Sequence, residues 1–162
     1  MANIEKEFQE ARDLMASGDC SGAVKKFNKI IKADPSCAEA YFGKAEAALS
    51  EPKISEDETI ACYKKAIELD GNNPIYWSGY ASFLIERGKF NDAESAYNRA
   101  AEVDPDNAKY YYSEFGVEYA SRAPVVMEKF LDEKTKEIIQ KKALKYLLKS
   151  IGLSEEEAKK LL

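Results

Sequence analysis

Apolar and small side chains recur along most of the chain at intervals of three and four residues, the period of one buried helix face. Three stretches share this pattern and the same ending. AVKKFNKIIKADPS from Ala23, TIACYKKAIELDGN from Thr59 and AESAYNRAAEVDPD from Ala93 each run as an amphipathic helix into an Asp followed by Pro or Gly, at offsets of 36 and 34 residues. A second helical stretch precedes each one, aligned by three columns: Glu7, Tyr41, Trp77 and Tyr112; Ala11, Ala45, Ala81 and Gly116; Leu14, Ala48, Leu84 and Tyr119. All three columns step by 34, 36 and 35 residues. A fixed period of this size specifies a repeat architecture in which each unit buries its face against its neighbours.

The pattern predicts a helix–turn–helix unit, clearest in Pro74 to Asn107. Pro74 suits a first helical position, Trp77, Ala81 and Leu84 share a face, Gly88 suits the helix end, and Ala93, Tyr97 and Ala100 form the facing stripe before Pro105. Small residues opposite aromatic ones let two helices approach closely. Two extra residues in the second unit fall at 50–57, where Pro52 lengthens the turn and Ser55 with Glu58 forms a capping box. A fourth first helix follows from Lys109 and is expected to be interrupted at Pro124. Asp132 to Ser150 then predicts a long helix with a stripe of Ile138, Ile139, Leu144, Leu147 and Leu148, expected to cap the stack. Gly152 ends it, and Ser154 opens a short final helix.

With these residues in view, the chain resembles the tetratricopeptide repeat family, whose repeat of about 34 residues follows W-x2-L-G-x2-Y, A-x3-F and P. Trp77, Tyr80, Ala81, Leu84, Ala93, Tyr97, Ala100 and Pro105 carry the best match. The first repeat has Glu7 in the aromatic column, as a solvent-facing terminal repeat would. The resemblance implies an all-α, right-handed superhelical α-solenoid. The expected organisation is an array over 1–123, with repeats at about 4–37, 38–73 and 74–107 and a partial fourth at 109–123, then a C-terminal helical cap over 124–162.

The resemblance also implies function on a concave groove lined by the first helices. Its expected residues are Phe8 and Arg12 from the first repeat, Glu39, Phe42, Gly43 and Glu46 from the second, Ile75, Ser78, Gly79 and Ser82 from the third, and Tyr110, Ser113 and Val117 from the fourth. Gly43 and Gly79 recur one repeat apart, although glycine costs a helix about 1 kcal/mol relative to alanine. Close helix packing and close approach of a ligand both account for them. The aromatic row likewise fits either an open groove or cover by adjacent helices. One subset of the family clamps chaperone C-terminal carboxylates with Lys, Asn and Arg, but the matching residues here are Phe8, Arg12, Gly43, Ile75 and Gly79. A single cation stands where the clamp needs several.

Composition narrows the chemistry. Among 162 residues there is no histidine, which removes imidazole bases and His-based nucleophile pairs and metal sites. Cys20, Cys37 and Cys62 form neither a CxxC pair nor an even disulfide set. Asp34, Asp70 and Asp104 precede the residues that end each repeat, which suits turn formation better than acid–base work. Net charge is −5, with acid dominant over 1–127 and base slightly dominant beyond, so a nucleic-acid footprint is not expected. The chain lacks an apolar membrane run or a basic-then-apolar leader, which fits a cytoplasmic protein.

These readings predict a non-enzymatic interaction module with no cofactor and no metal. Its partner is another protein, bound through an apolar peptide or helix in which basic residues could meet Glu5, Glu39, Glu46 and Glu114. The alternative is a self-associating scaffold, a homo-oligomer in which the C-terminal helix occupies a groove or docks on another copy.

Overall fold

Helix ends in this chain reuse one piece of backbone chemistry. After α1 (Ala2–Ala16), α5 (Pro74–Glu86) and α8 (Glu133–Ser150), a glycine adopts positive φ: Gly18 at 84°, Gly88 at 70° and Gly152 at 77°. The next amide then reaches back to a helix carbonyl, Asp19 to Leu14 and Lys89 to Leu84 at 2.8 Å, and Leu153 to Leu148 at 3.0 Å. Only glycine takes this conformation without strain. Helix starts use side-chain oxygens. Asp19 accepts from the Gly22 amide at α2 (Cys20–Ala33), Ser55 from Glu58 at α4 (Glu56–Leu69), Asn73 from Ile75 at α5 and Asp132 from Thr135 at α8, each contributing about 1 kcal/mol. The Ser55 cap is half of the expected box, because the Glu58 carboxylate pairs with Lys44 at 2.8 Å. The full box occurs at Ser154, whose hydroxyl accepts from the Glu157 amide while Glu157 accepts from the Ser154 amide.

The structure, a computed structural model, describes residues 2–161, which carry α-helices and two short 3-10 turns. The remaining helices are α3 (Ala38–Ala48), α6 (Phe90–Val103), α7 (Ala108–Val126) and α9 (Glu155–Leu161). Their contacts divide the chain into two compact units, Met1–Asn72 and Asn73–Leu162.

In the first unit, α1 packs on α2, α2 on α3 and α3 on α4. Phe27 is the wedge between α1 and α3. Its ring meets Phe8 edge-on at 6.1 Å, and a Cβ added at Gly43 would lie 2.4 Å from its Cε1 atom. Ala11, Ala23, Ile30 and Ala40 complete this core. Glu7 is not the solvent-facing substitute expected of a terminal repeat: it is half-buried and pairs with Lys26 at 3.0 Å, and Lys26 also binds Glu10. The inserted turn before α4 is anchored by Ile54, which packs on the same core.

In the second unit, α5 packs on α6, and α7 lies on both. Tyr97 is fully buried against Phe115 at 5.9 Å, and Phe115 meets Tyr146 of α8 at 4.5 Å. The Ala-to-Gly change in the second column has a packing cause. A Cβ at Gly116 would lie 3.0 Å from Leu147 Cγ and 3.2 Å from the Ala143 carbonyl oxygen, so α8 sits against α7 closely enough that a larger residue would have to push it back by a few tenths of an ångström. Pro124 does not interrupt α7, which continues to Val126; near the helix end its missing N–H removes a single bond from the last turn. The stripe expected on α8 is also displaced. Ile139, Ala143 and Tyr146 are buried, whereas Ile138 and Leu144 are more than half exposed. Polar bonds hold the helix in that register: Lys142 at 2.7 Å and the Tyr146 hydroxyl at 2.8 Å both donate to Glu94, and Asn98 donates to Tyr146 at 2.9 Å.

Candidate peptide-binding surfaces

The expected binding residues fall into two groups, one in each unit. In the first unit, α1 and α3 enclose a cleft of about 430 Å³ lined by Ile4, Glu5, Phe8, Arg12, Asp34 and Glu39. Phe8 is 8% exposed, so most of its ring serves the core contact with Phe27. Arg12 lies across the remaining edge, 5.8 Å from the ring centroid, and donates to Glu39 at 3.0 Å. Phe42 is half-buried and meets Tyr63 edge-on at 5.9 Å. Glu46 accepts the Tyr63 hydroxyl at 2.5 Å, and burial pushes its carboxyl above the ordinary range. For Gly43, of the two readings the sequence left open, the close contact with Phe27 supplies the packing one. Phe27 thus fills the space between the helices that carry Phe8 and Gly43, and both take part in packing on it.

The second unit presents a different surface. Ile75 on α5 and Tyr110 and Val117 on α7 are 60%, 59% and 57% exposed, and α8 leaves them uncovered. α8 packs instead on α6 and α7. Ser78, Gly79, Ser82 and Ser113 are half-buried around the apolar positions. Ser82 donates to Glu118 at 3.2 Å, and the Tyr97 hydroxyl donates to the other oxygen of the same carboxylate at 2.8 Å. Glu114, one turn earlier, lies 3.5 Å from the Tyr110 hydroxyl through one oxygen. Its other oxygen is shielded from solvent and accepts no hydrogen bond. Burial, then the neighbouring Glu118 charge, push the Glu114 carboxyl above its usual range.

Glu118 was not singled out by the sequence pattern. Its repeat-equivalent residues, Ala47 and Phe83, are buried and apolar, so the columns assign it to the interior. The signal that could have found it is its spacing of four from Glu114.

The cysteines fall on helices or caps. Cys20 opens α2, Cys37 caps α3 and Cys62 is buried, and burial raises the thiols of Cys37 and Cys62. Asp34 and Asp104 serve their turns: Asp34 accepts from Ser36, and Asp104 from Asn107 and the Tyr111 hydroxyl. Among the described residues no helix is long and apolar enough to cross a membrane, and no cluster of Cys, Asp and Glu is arranged to hold a metal ion.

Two family models, both described as tetratricopeptide repeat, match residues 8–74 and 57–113. The repeat-containing protein MJ1428 of Methanocaldococcus jannaschii is 29% identical over 116 residues, which is 60% of this chain and 20% of that protein. The chain thus spans a minor part of the curated relatives it matches. The crystal structure of MamA superposes with a TM-score of 0.71 at 20% identity, covering 97% of this chain and 81% of that one. The TPR2B domain of yeast Sti1, solved in complex with pHsp70, superposes with a TM-score of 0.61 at 23% identity, covering 89% of this chain and 98% of that one. With the repeat columns, the helix pairs and these matches in agreement, the chain belongs to the tetratricopeptide repeat family, an α-solenoid fold that serves in protein-interaction adaptors.

Proposed function

We propose that the chain is a non-catalytic adaptor that binds an apolar peptide or helix of another protein on the outward face of its first helices, without a chaperone-type carboxylate clamp. The observation that carries this is the uncovered apolar surface of Ile75, Tyr110 and Val117 on α5 and α7. Three large apolar side chains left in water beside half-buried serines suit a surface that gains by being covered. The clamp is disfavoured because Arg12, the matching cation, is already paired with Glu39, and Phe8, Gly43, Ile75 and Gly79 offer no side-chain donor. The pHsp70 partner of the Sti1 domain is therefore not transferred to this chain.

The test is a peptide-display selection on the wild-type chain and on the double variant Ile75→Arg with Val117→Arg. Both positions are exposed, so the variant should fold, and circular dichroism checks this. Wild type should enrich apolar peptides that the variant loses by at least about tenfold, the loss of one good anchor. Equal enrichment on both chains contradicts the reading.

A second reading, self-association, draws on the exposed Val125 and Val126 at the end of α7, on Phe130 beyond it, and on Leu144 of α8 with Ile151 just past its end. Sedimentation showing a mass that rises with concentration would support it, and a constant monomer mass would remove it.

A further inference from the structure

We infer that the α5/α7 face takes a protein segment carrying one Lys or Arg between two apolar residues, with the cation seated at Glu114 and Glu118. The inference rests on the binding surface proposed above and names what that surface selects.

The geometry on α7 is the starting point. Tyr110, Glu114 and Val117 follow one another at spacings of four and three, so they share one helix face in the order apolar, acidic, apolar. Tyr110 and Val117 are exposed, while Glu114 lies partly buried between them. A shielded carboxylate oxygen without a donor is costly to keep, and the Glu118 charge one turn away adds repulsion. The donors that reach Glu118, Ser82 and Tyr97, are neutral. Among the described residues no Lys or Arg pairs with either carboxylate.

Glu46 on α3 is likewise held by a neutral donor, the Tyr63 hydroxyl, but several other helix carboxylates have a cation. Glu7 and Glu10 bind Lys26, Glu39 binds Arg12, Glu58 binds Lys44, Glu86 binds Arg122 and Glu94 binds Lys142. The missing cation at Glu114 and Glu118 therefore coincides with the uncovered apolar surface. A Lys or Arg side chain meets both needs. Its methylene stem covers Tyr110 or Val117, and its head brings a positive charge to two carboxylates whose donors, Ser82, Tyr97 and Tyr110, are all neutral. An acidic segment or a nucleic-acid backbone would be repelled.

The test uses the full chain and a random peptide-display library, comparing wild type with Glu114→Gln, which keeps the shape and removes the charge. Peptides enriched on wild type should carry Lys or Arg between apolar residues. On Glu114→Gln the basic preference should disappear while the apolar preference persists. For a synthetic peptide from the wild-type selection, replacing Lys by norleucine should weaken binding to wild type by about tenfold and leave binding to Glu114→Gln nearly unchanged. Enriched peptides without basic residues, or a basic preference that survives Glu114→Gln, would overturn the inference and leave the apolar surface standing. If nothing is enriched, or the enriched peptides ignore Ile75→Arg with Val117→Arg, the inference and the proposed function both fail.

Discussion

The α1/α3 face and the α5/α7 face are built from equivalent repeat positions, yet on one the aromatic and charged groups are engaged with each other and on the other large apolar groups stay exposed. In the first unit, Phe27 draws Phe8 and the Gly43 backbone into the core, and Arg12 neutralises Glu39 at the rim. In the second, Ile75, Tyr110 and Val117 stay exposed, and Glu114 and Glu118 face each other without a cation. The helix pair is thus a scaffold whose surface chemistry is set by a few side chains, and those side chains can be changed to move one face toward the other.

The largest effects should come from the aromatic wedges. Phe27→Ala and Tyr97→Ala are each expected to cost about 3–5 kcal/mol in urea unfolding, because each empties a packed site between helices. A loss below about 1 kcal/mol would contradict the packing described for that unit.

Gly43→Ala comes next. A better helix former should stabilise by up to about 1 kcal/mol, but the new Cβ must displace the Phe27 ring, and overpacking at about 1–3 kcal/mol should win. Combining it with Phe27→Leu should recover part of the loss. A stabilising Gly43→Ala would return that glycine to the open groove.

Acid should separate the two kinds of carboxylate within the second unit. Burial works against ionising Glu94, but Lys142 and Tyr146 outweigh it and hold the carboxyl below its ordinary value of 4.5. Its contribution is therefore present above that value and lost as pH falls through the lower, folded one. Protection of the α8 amides relative to their intrinsic exchange rate should fall below about pH 4.5, and this dependence should be lost in Glu94→Gln. Glu114 has the opposite sign. Its raised carboxyl makes the ionised form unfavourable in the folded state, so Glu114→Gln should be neutral or slightly stabilising near pH 7, where Glu94→Gln destabilises.

The smallest effect on stability is expected for Arg12→Gln, since an exposed pair contributes about 0–1 kcal/mol. Its value lies in binding. With Glu39 freed, the α1/α3 face should gain a preference for basic peptides in display selection, and an unchanged preference would show that the Arg12 pair does not silence that face.

The repeat was legible in the sequence because packing between helices demands small and aromatic residues in fixed columns, and Ala11, Ala45, Ala81 and Gly116 keep that demand. Helix ends were legible through Gly88, Gly152 and Pro74 for the same local reason. The side-chain partners were not. Phe8 and Phe42 occupy equivalent positions and meet equivalent rings, Phe27 and Tyr63, yet one is buried and the other half-buried. Ile138 and Ile139 are adjacent on α8, and the bonds to Glu94 decide which faces inward. Glu118 sits in an interior column yet uses its carboxylate to receive Ser82 and Tyr97 at the surface of α5 and α7.

The most direct test of the open α5/α7 face is a backbone NMR titration of the full chain with a selected Lys-containing peptide. The largest amide shifts should fall at 75–82 of α5 and 110–118 of α7, with α1 and α3 little moved. Shifts confined to α1 and α3, or to α8, with Ile75, Glu114 and Val117 unchanged, would contradict it.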